Sequence, residues 1–218
     1  MRVFHFVSRE FGLKDLQQQR LKVAQIQDLN DPFELRAFGS ADLAIRSVIE
    51  KIRDELAQKR GMLCFSQDWR NPVQWSHYAE RHLGLAMGFD LPDELLTPII
   101  YSSRRVDPDV SVLMSKNNSA ESLMKIGLTT KYRHWQYEKE MRVFVDLNER
   151  DPSTGLFFVP FSDELCLKEV IVGANSNITR AEINSALGPS ASNVKILKAR
   201  LAFKSFRVVR QRVEKLWT

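Results

Sequence analysis

The sequence predicts an α+β fold, a single domain over residues 1–218 in which a mixed or mostly antiparallel sheet of about eight short strands carries covering helices. Three observations lead there. Apolar runs of strand length recur from end to end. Helical patterns interrupt them without the strict alternation of a βαβ architecture. The stretch Lys131 to Val145, KYRHWQYEKEMRVFV, has a period of two in its second half, with Glu138, Glu140 and Arg142 on one side and Lys139, Met141, Val143 and Val145 on the other.

Each element has a local reason. Arg2 to Phe6 alternates around His5 and reads as a first strand, and Gly12 precedes a short helix carrying Leu13 and Leu16 that ends near Arg20. Leu21 to Ile26 is a second extended piece, closed where Asn30 and Asp31 lead into Pro32, because the residue before proline is pushed out of the helical region. From Ser40 onward, Ile45, Val48, Ile49, Ile52 and Leu56 define an amphipathic helix that ends before Gly61. Met62 to Ser66 is a buried strand, followed by a loop at Gln67 to Pro72. A short helix in VQWSHYAERH then places Trp75, Tyr78 and Ala79 on one face and His77 on another.

Gly84 to Asp90 reads as a glycine-containing central strand and Pro98 to Tyr101 as another. Ser103 to Asn118 is a candidate mobile loop, and a helix is expected from Ser119 to about Leu128. Beyond the aromatic stretch, Leu156 to Phe161 and Leu165 to Val172 are strands, the second ending at Gly173. Thr179 with Glu182 is a capping-box pattern opening a helix to Leu187. Val194 to Leu197 and Phe203 to Val213 complete the chain as strands.

Composition bounds the function. A hydrophobic content of 44% and a charged content of 27% are ordinary for a globular protein. No window approaches the run of about 18 apolar residues that a membrane helix needs. The N-terminus MRVFHFVSREFG lacks a secretory h-region, so a cytoplasmic location is expected. Cys64 and Cys166 sit in apolar contexts without CxxC spacing and are expected as buried thiols. In a chain of net charge +5, Lys195 to Thr218 carries eight basic residues against the single acid Glu214, so the remainder is slightly acidic. That basic end at 194–218 reads either as a contact for nucleic acid or phosphates, or as a solvated strand edge on which charge discourages aggregation.

No glycine-rich phosphate loop, HExxH or GxSxG pattern is present. The four histidines are scattered without familiar ligand spacing, and no metal is expected. The aromatic and acidic stretch stands out instead. Two carboxylates two residues apart on a strand repel each other unless an arginine neutralises them or one has chemical work to do. The plainer alternatives are a surface ion ladder of Glu138, Glu140 and Arg142, core packing of Trp75, Trp135 and Tyr137, and turn capping by Asn30, Asp31 and Glu34.

Five short motifs occur in order: NDPFE at Asn30 to Glu34, CFS at Cys64 to Ser66, QWSHYA at Gln74 to Ala79, GFD at Gly88 to Asp90 and HWQYEKEMR at His134 to Arg142. Together they resemble the bacterial domain-of-unknown-function family 2971, from the first strand to about Gly173. That family carries no stated activity. Gln74 departs from it where a methionine is expected, a change expected to alter packing only.

A second resemblance offers chemistry. His5, Ser66 and Glu138-Lys139-Glu140 follow the order in which ADP-ribosyltransferase-like proteins place a His or Arg on the first strand, a Ser or Tyr on a middle strand and a glutamate, often within Glu-x-Glu, on a late one. The resemblance implies an ADP-ribosyltransferase-like fold that takes NAD as substrate and a protein or nucleic-acid acceptor near the basic C-terminal strand, in bacterial stress or phage defence. It makes Glu140 the catalytic carboxylate, Glu138 the residue that orients the acceptor, and His5 a ribose or amide contact. Ser66 becomes the pocket scaffold, with Tyr78 or Trp75 stacking on the base and Arg142 counted with them among the cofactor-binding residues. Two rival readings are a non-catalytic module binding nucleic acid or protein through the basic C-terminal strand, and a nuclease-like effector using Asp31, Glu34 and His77.

Overall fold

The computed structural model describes residues 1–33, 36–106 and 125–217. Its strands, in chain order, begin with β1 (Arg2–Val7), β2 (Arg20–Lys22), β3 (Ala24–Gln25), β4 (Arg60–Ser66) and β5 (Leu85–Asp90). They continue with β6 (Thr97–Pro98), β7 (Ile100–Ser102), β8 (Thr130–Tyr132) and β9 (Glu140–Asp146). The last four are β10 (Phe158–Pro160), β11 (Cys166–Val172), β12 (Lys195–Leu201) and β13 (Val208–Arg210). Nine form one sheet, ordered β13-β12-β11-β5-β1-β4-β9-β6 with β3 attached to β4. Within it only β11 and β12 run parallel, so the α+β class with a mostly antiparallel sheet holds.

The central strand is β5, whose sequence LAMGFD is buried from Leu85 to Phe89. Alternation sends Met87 and Phe89 into one apolar layer with Val3, Leu63, Phe65 and Val170. It sends Ala86 into the opposite layer with Phe4, Trp75, Ile171 and Leu197. Helix α1 (Arg9–Gln18) supplies Leu16 to the first layer, and α3 (Pro72–Tyr78) supplies Trp75 to the second. Gly84 is required where the chain enters β5, because a Cβ there would sit 2.1 Å from the Val7 carbonyl oxygen. The capping box at Thr179 is complete in both directions and opens the helix Arg180–Leu187.

Helix α2 (Leu43–Lys59) has the expected extent and is capped by Asp42, whose carboxylate accepts from the Ala44 and Ile45 N–H groups. Its apolar stripe is less covered than amphipathicity alone implies. Leu56 and Ala57 are buried, whereas Leu43 and Val48 are exposed.

Two sequence expectations need correction. The aromatic stretch does not enter its strand at Glu138: residues Arg133–Glu138 form a 3₁₀ helix, Lys139 adopts the left-handed conformation (φ 46°), and β9 starts at Glu140. The last strand is Val208–Arg210 rather than Phe203 to Val213, because 202–207 is a hairpin loop. Most of the expected mobile loop and the first part of the following helix lie outside the described residues, with 125–129 helical.

One irregularity positions the site. Strands β1 and β4 share only the Phe4–Ser66 register pair, and the other end of β4 pairs with β3, Ala24 opposite Met62. The sheet therefore opens between β1 and the start of β4. In the opening the His5 imidazole sits 3.0 Å from the Cys64 carbonyl through Nδ1, taking a place that a strand ladder would otherwise fill.

Candidate functional site

A cavity of about 230 Å³ occupies that opening. Ser66 and Glu140 are directly opposite each other on β4 and β9, and Cys64 is opposite Arg142, so the register brings the strand-borne site residues onto one face. His5, Ser66, Tyr78, Glu138, Glu140 and Arg142 all line the cavity, although they span most of the chain in sequence. The floor is aromatic, from Phe4, Phe6 and Phe65, and Asn30 with Leu29 stands at the side.

Trp75 is a correction. It does not line the cavity; it is 0% exposed, packs edge-on against Phe6 and stacks with His82, and its Nε1 donates to the Trp69 carbonyl at 2.6 Å. A tryptophan so enclosed is core, and a planar ligand cannot reach its face. Trp135, by contrast, is only half-buried, with the Lys131 ammonium 5.0 Å from its ring centroid.

The charged cluster is buried, which removes the surface-ladder alternative. Glu138, Glu140, Lys131 and Arg142 are each less than a tenth exposed. Arg142 donates through Nε to Glu140 Oε1 at 2.7 Å and through Nη2 to Oε2 at 3.1 Å, and its Nη1 donates to the Leu128 carbonyl. Lys131 bridges the two acids, donating to Glu138 Oε2 at 2.7 Å and to Glu140 Oε2 at 3.1 Å. Both oxygens of Glu140 are thus engaged by cations.

The two glutamates are shifted in opposite directions as a result. Burial alone would raise Glu140, but the adjacent Arg142 and Lys131 overrule it and hold its carboxyl below the ordinary value. Burial dominates at Glu138 and raises it, against the opposing charge of Lys131 and the hydrogen bond donated by the Tyr78 hydroxyl. Burial also pushes the Tyr78 phenol far upward, keeping it protonated as a donor. His5 is lowered by burial and is neutral near pH 7. Its Nδ1 then carries the proton toward the Cys64 carbonyl, leaving Nε2 as an acceptor.

The backbone of Glu138 is clamped. Its carbonyl accepts from Ser66 Oγ at 2.6 Å and from Gln74 Nε2 at 2.8 Å. The Gln67 N–H bonds the Lys139 carbonyl at 3.1 Å, and the Tyr101 hydroxyl accepts from the Glu140 N–H at 2.8 Å. These bonds over-determine the left-handed turn at Lys139, a conformation that costs a non-glycine residue of order 1 kcal/mol or more. Gln74, read from the sequence as a change of packing, is therefore a hydrogen-bonding support of the site.

Lys131 and Gln74 are the residues that sequence reasoning missed. A lysine in an aromatic run looks like any solvated lysine, and only the tertiary structure, in which β8 pairs with β7 and sets Lys131 opposite Tyr101, shows it to be buried. Of the nuclease-like trio, neither His77 nor Asp31 lines the cavity. His77 is exposed and bonds the Tyr137 hydroxyl through Nδ1 at 2.7 Å, Asp31 is buried outside the cavity lining, and Glu34 lies outside the described residues. Among the described residues no group of three His, Cys, Asp or Glu side chains could hold a metal ion. Cys64 and Cys166, expected as buried thiols, are each only half-buried. Among the described residues no helix is long and apolar enough to cross a membrane.

No curated protein and no solved structure matches the chain. The motifs NDPFE and CFS, with His5 and Ser66, lie outside the one segment that a family model matches. Residues 74–143, which carry α3, β5, the 3₁₀ helix and both glutamates, match the model of the family described as Protein of unknown function (DUF2971), the family that the sequence motifs resemble.

Proposed function

We propose that the cavity is an enzyme site that cleaves the nicotinamide–ribose bond of NAD, with Glu138 rather than Glu140 as the acting carboxylate. The observation that carries the reading is the unequal environment of the two acids. Glu140 is saturated by Arg142 and Lys131, whereas Glu138 is a cavity-lining carboxylate that burial makes uncomfortable as an anion. Such a carboxylate gains most from a positive charge that develops beside it, so its interaction is stronger in an oxocarbenium-like transition state than in the ground state.

The step balances without a cofactor. The C1′–N bond breaks and its electron pair returns to the pyridine nitrogen, releasing neutral nicotinamide. Water or an acceptor hydroxyl forms the new C1′–O bond, and its proton passes to Glu138. Tyr78 and Lys131 hold Glu138 in place, and neutral His5 offers Nε2 to an amide N–H or a ribose hydroxyl. At about 230 Å³ the cavity is below the ~300–1,000 Å³ common for small-molecule pockets, so it takes the ring and its sugar while the rest of a dinucleotide lies outside.

The test is nicotinamide release from NAD by the wild type and by Glu138→Gln and Glu140→Gln, with and without cell extract as acceptor. Wild-type release that Glu138→Gln abolishes, in a variant that still melts within a few degrees of wild type, supports the reading. No release by wild type under either condition, together with no rise in melting temperature on adding NAD or ADP-ribose, overturns it.

A further inference from the structure

The β12–β13 hairpin has no part in the cavity, and its tip is unusual. Phe203 and Phe206 are 89% and 98% exposed, on a loop closed by the Ala202 N–H bond to the Arg207 carbonyl at 2.9 Å. The loop is tied to the body of the protein, since the Val208 N–H donates to the Arg70 carbonyl at 2.9 Å and the Arg70 guanidinium lies 4.7 Å over the buried Trp69 ring. Between the hairpin and Arg70 runs an open groove of about 480 Å³. Arg70, Arg200, Lys204, Arg210 and Arg212 line it with Phe203, and among the described residues no acidic one does. Asp68 alongside is engaged by Arg207, Lys139 and Arg70 at 3.5–3.9 Å.

We propose that this hairpin groove binds single-stranded nucleic acid, the cations following the phosphates and Phe203 and Phe206 stacking on bases. Among the described residues only Arg70 of these five cations has an acidic partner, Asp68 at 3.9 Å, and the excess positive charge around the groove selects a polyanion. Two solvent-facing aromatic rings three residues apart add what a duplex cannot use, because paired bases keep their faces inside the helix. Arg200 already lies 4.4 Å over the Phe203 ring, a cation–π arrangement that leaves the opposite ring face open to a base. No base edge is read, so the binding is independent of sequence. The inference does not rest on NAD cleavage.

The probe is a labelled oligothymidylate of about twenty nucleotides, followed by anisotropy at increasing salt. With five cations engaged and a slope of about −0.7 for each on single strands, log K falls against log salt with a slope near −3.5. Phe203→Ala/Phe206→Ala weakens binding at least tenfold with that slope unchanged, and an abasic oligomer of equal length shows the same loss on wild type. Both rings are exposed, so the variant keeps the wild-type melting temperature. Four results overturn the proposal: no binding at low salt, equal affinity for duplex and single strand, an unaffected double alanine variant, or binding to phosphatidylserine vesicles without binding to the oligomer. Retention of oligomer binding by Glu138→Gln keeps this test separate from that of the cavity.

Discussion

Replacing Glu140 by glutamine keeps the shape of the side chain and removes its charge. On a solvent-facing strand position this would cost less than about 1 kcal/mol. Glu140 is instead 6% exposed, and it accepts from Arg142 at 2.7 and 3.1 Å and from Lys131 at 3.1 Å. The variant leaves a 1% exposed guanidinium facing an amide that can accept at one atom only, with its NH₂ turned toward a second cation. Removing one partner of a buried ion pair costs ~3–5 kcal/mol. For a chain of this size each kcal/mol shifts Tm by about 2–4 °C, so the expected fall is roughly 6–20 °C.

The pH dependence follows from the direction of the Glu140 shift. Its folded-state pKa lies below the ordinary 4.5, so its contribution is present above that value and is lost as pH falls through the folded value. The difference between wild type and Glu140→Gln therefore narrows in acid. Glu138→Gln behaves oppositely. A raised folded pKa means that ionising Glu138 near neutral pH already costs stability, so its removal costs only about 1–2 kcal/mol, mostly from the altered bond to Tyr78. Differential scanning calorimetry of both variants at pH 7 and pH 4 reads the contrast. A Glu140→Gln protein melting within about 2 °C of wild type at pH 7, or one less affected than Glu138→Gln, would refute the assignment of Glu140 as the structural anchor.

Two further outcomes follow from burial. Trp75→Ala should cost ~3–5 kcal/mol in denaturant titration, because it empties a fully enclosed site, whereas Trp135→Ala should cost clearly less and should alter the environment of Lys131; equal losses would contradict their different burial. Asp15 on α1 is raised from 3.8 to about 7 by burial, against the opposing charge of Arg20. Stability linked to it is fully present below 3.8 and lost as pH rises through about 7, so Asp15→Asn should be more stable than wild type at pH 8, by at most ~4 kcal/mol and with a correspondingly higher Tm, and close to wild type at pH 4. The same Tm difference at both pH values would remove Asp15 as the source.

What the sequence determined by itself was local. Alternation placed β1, apolar runs of strand length placed β4 and β11, the Thr179–Glu182 pair placed the helix after them, and GLAMGFD gave the central strand, because each of these depends on neighbours within a few residues. The clustering of His5, Ser66 and the two glutamates was also visible as an ordering of polar residues on apolar strands. Tertiary structure decided the rest. Period two gave Glu138 and Glu140 equal status, and only the 3₁₀ helix with its left-handed Lys139 separates them, one clamped by Arg142 and the other turned to Tyr78. Trp75 carried the same aromatic signal as a stacking residue would. Whether a tryptophan faces a ligand or a Phe6 ring depends on how α3 lands on β1, a contact between segments separated by some sixty residues of chain that no local pattern encodes. Lys131 was indistinguishable from a solvated lysine for the same reason, since its burial comes with the pairing of β8 to the distant β7, Tyr101 opposite Lys131, and not from any residue next to it.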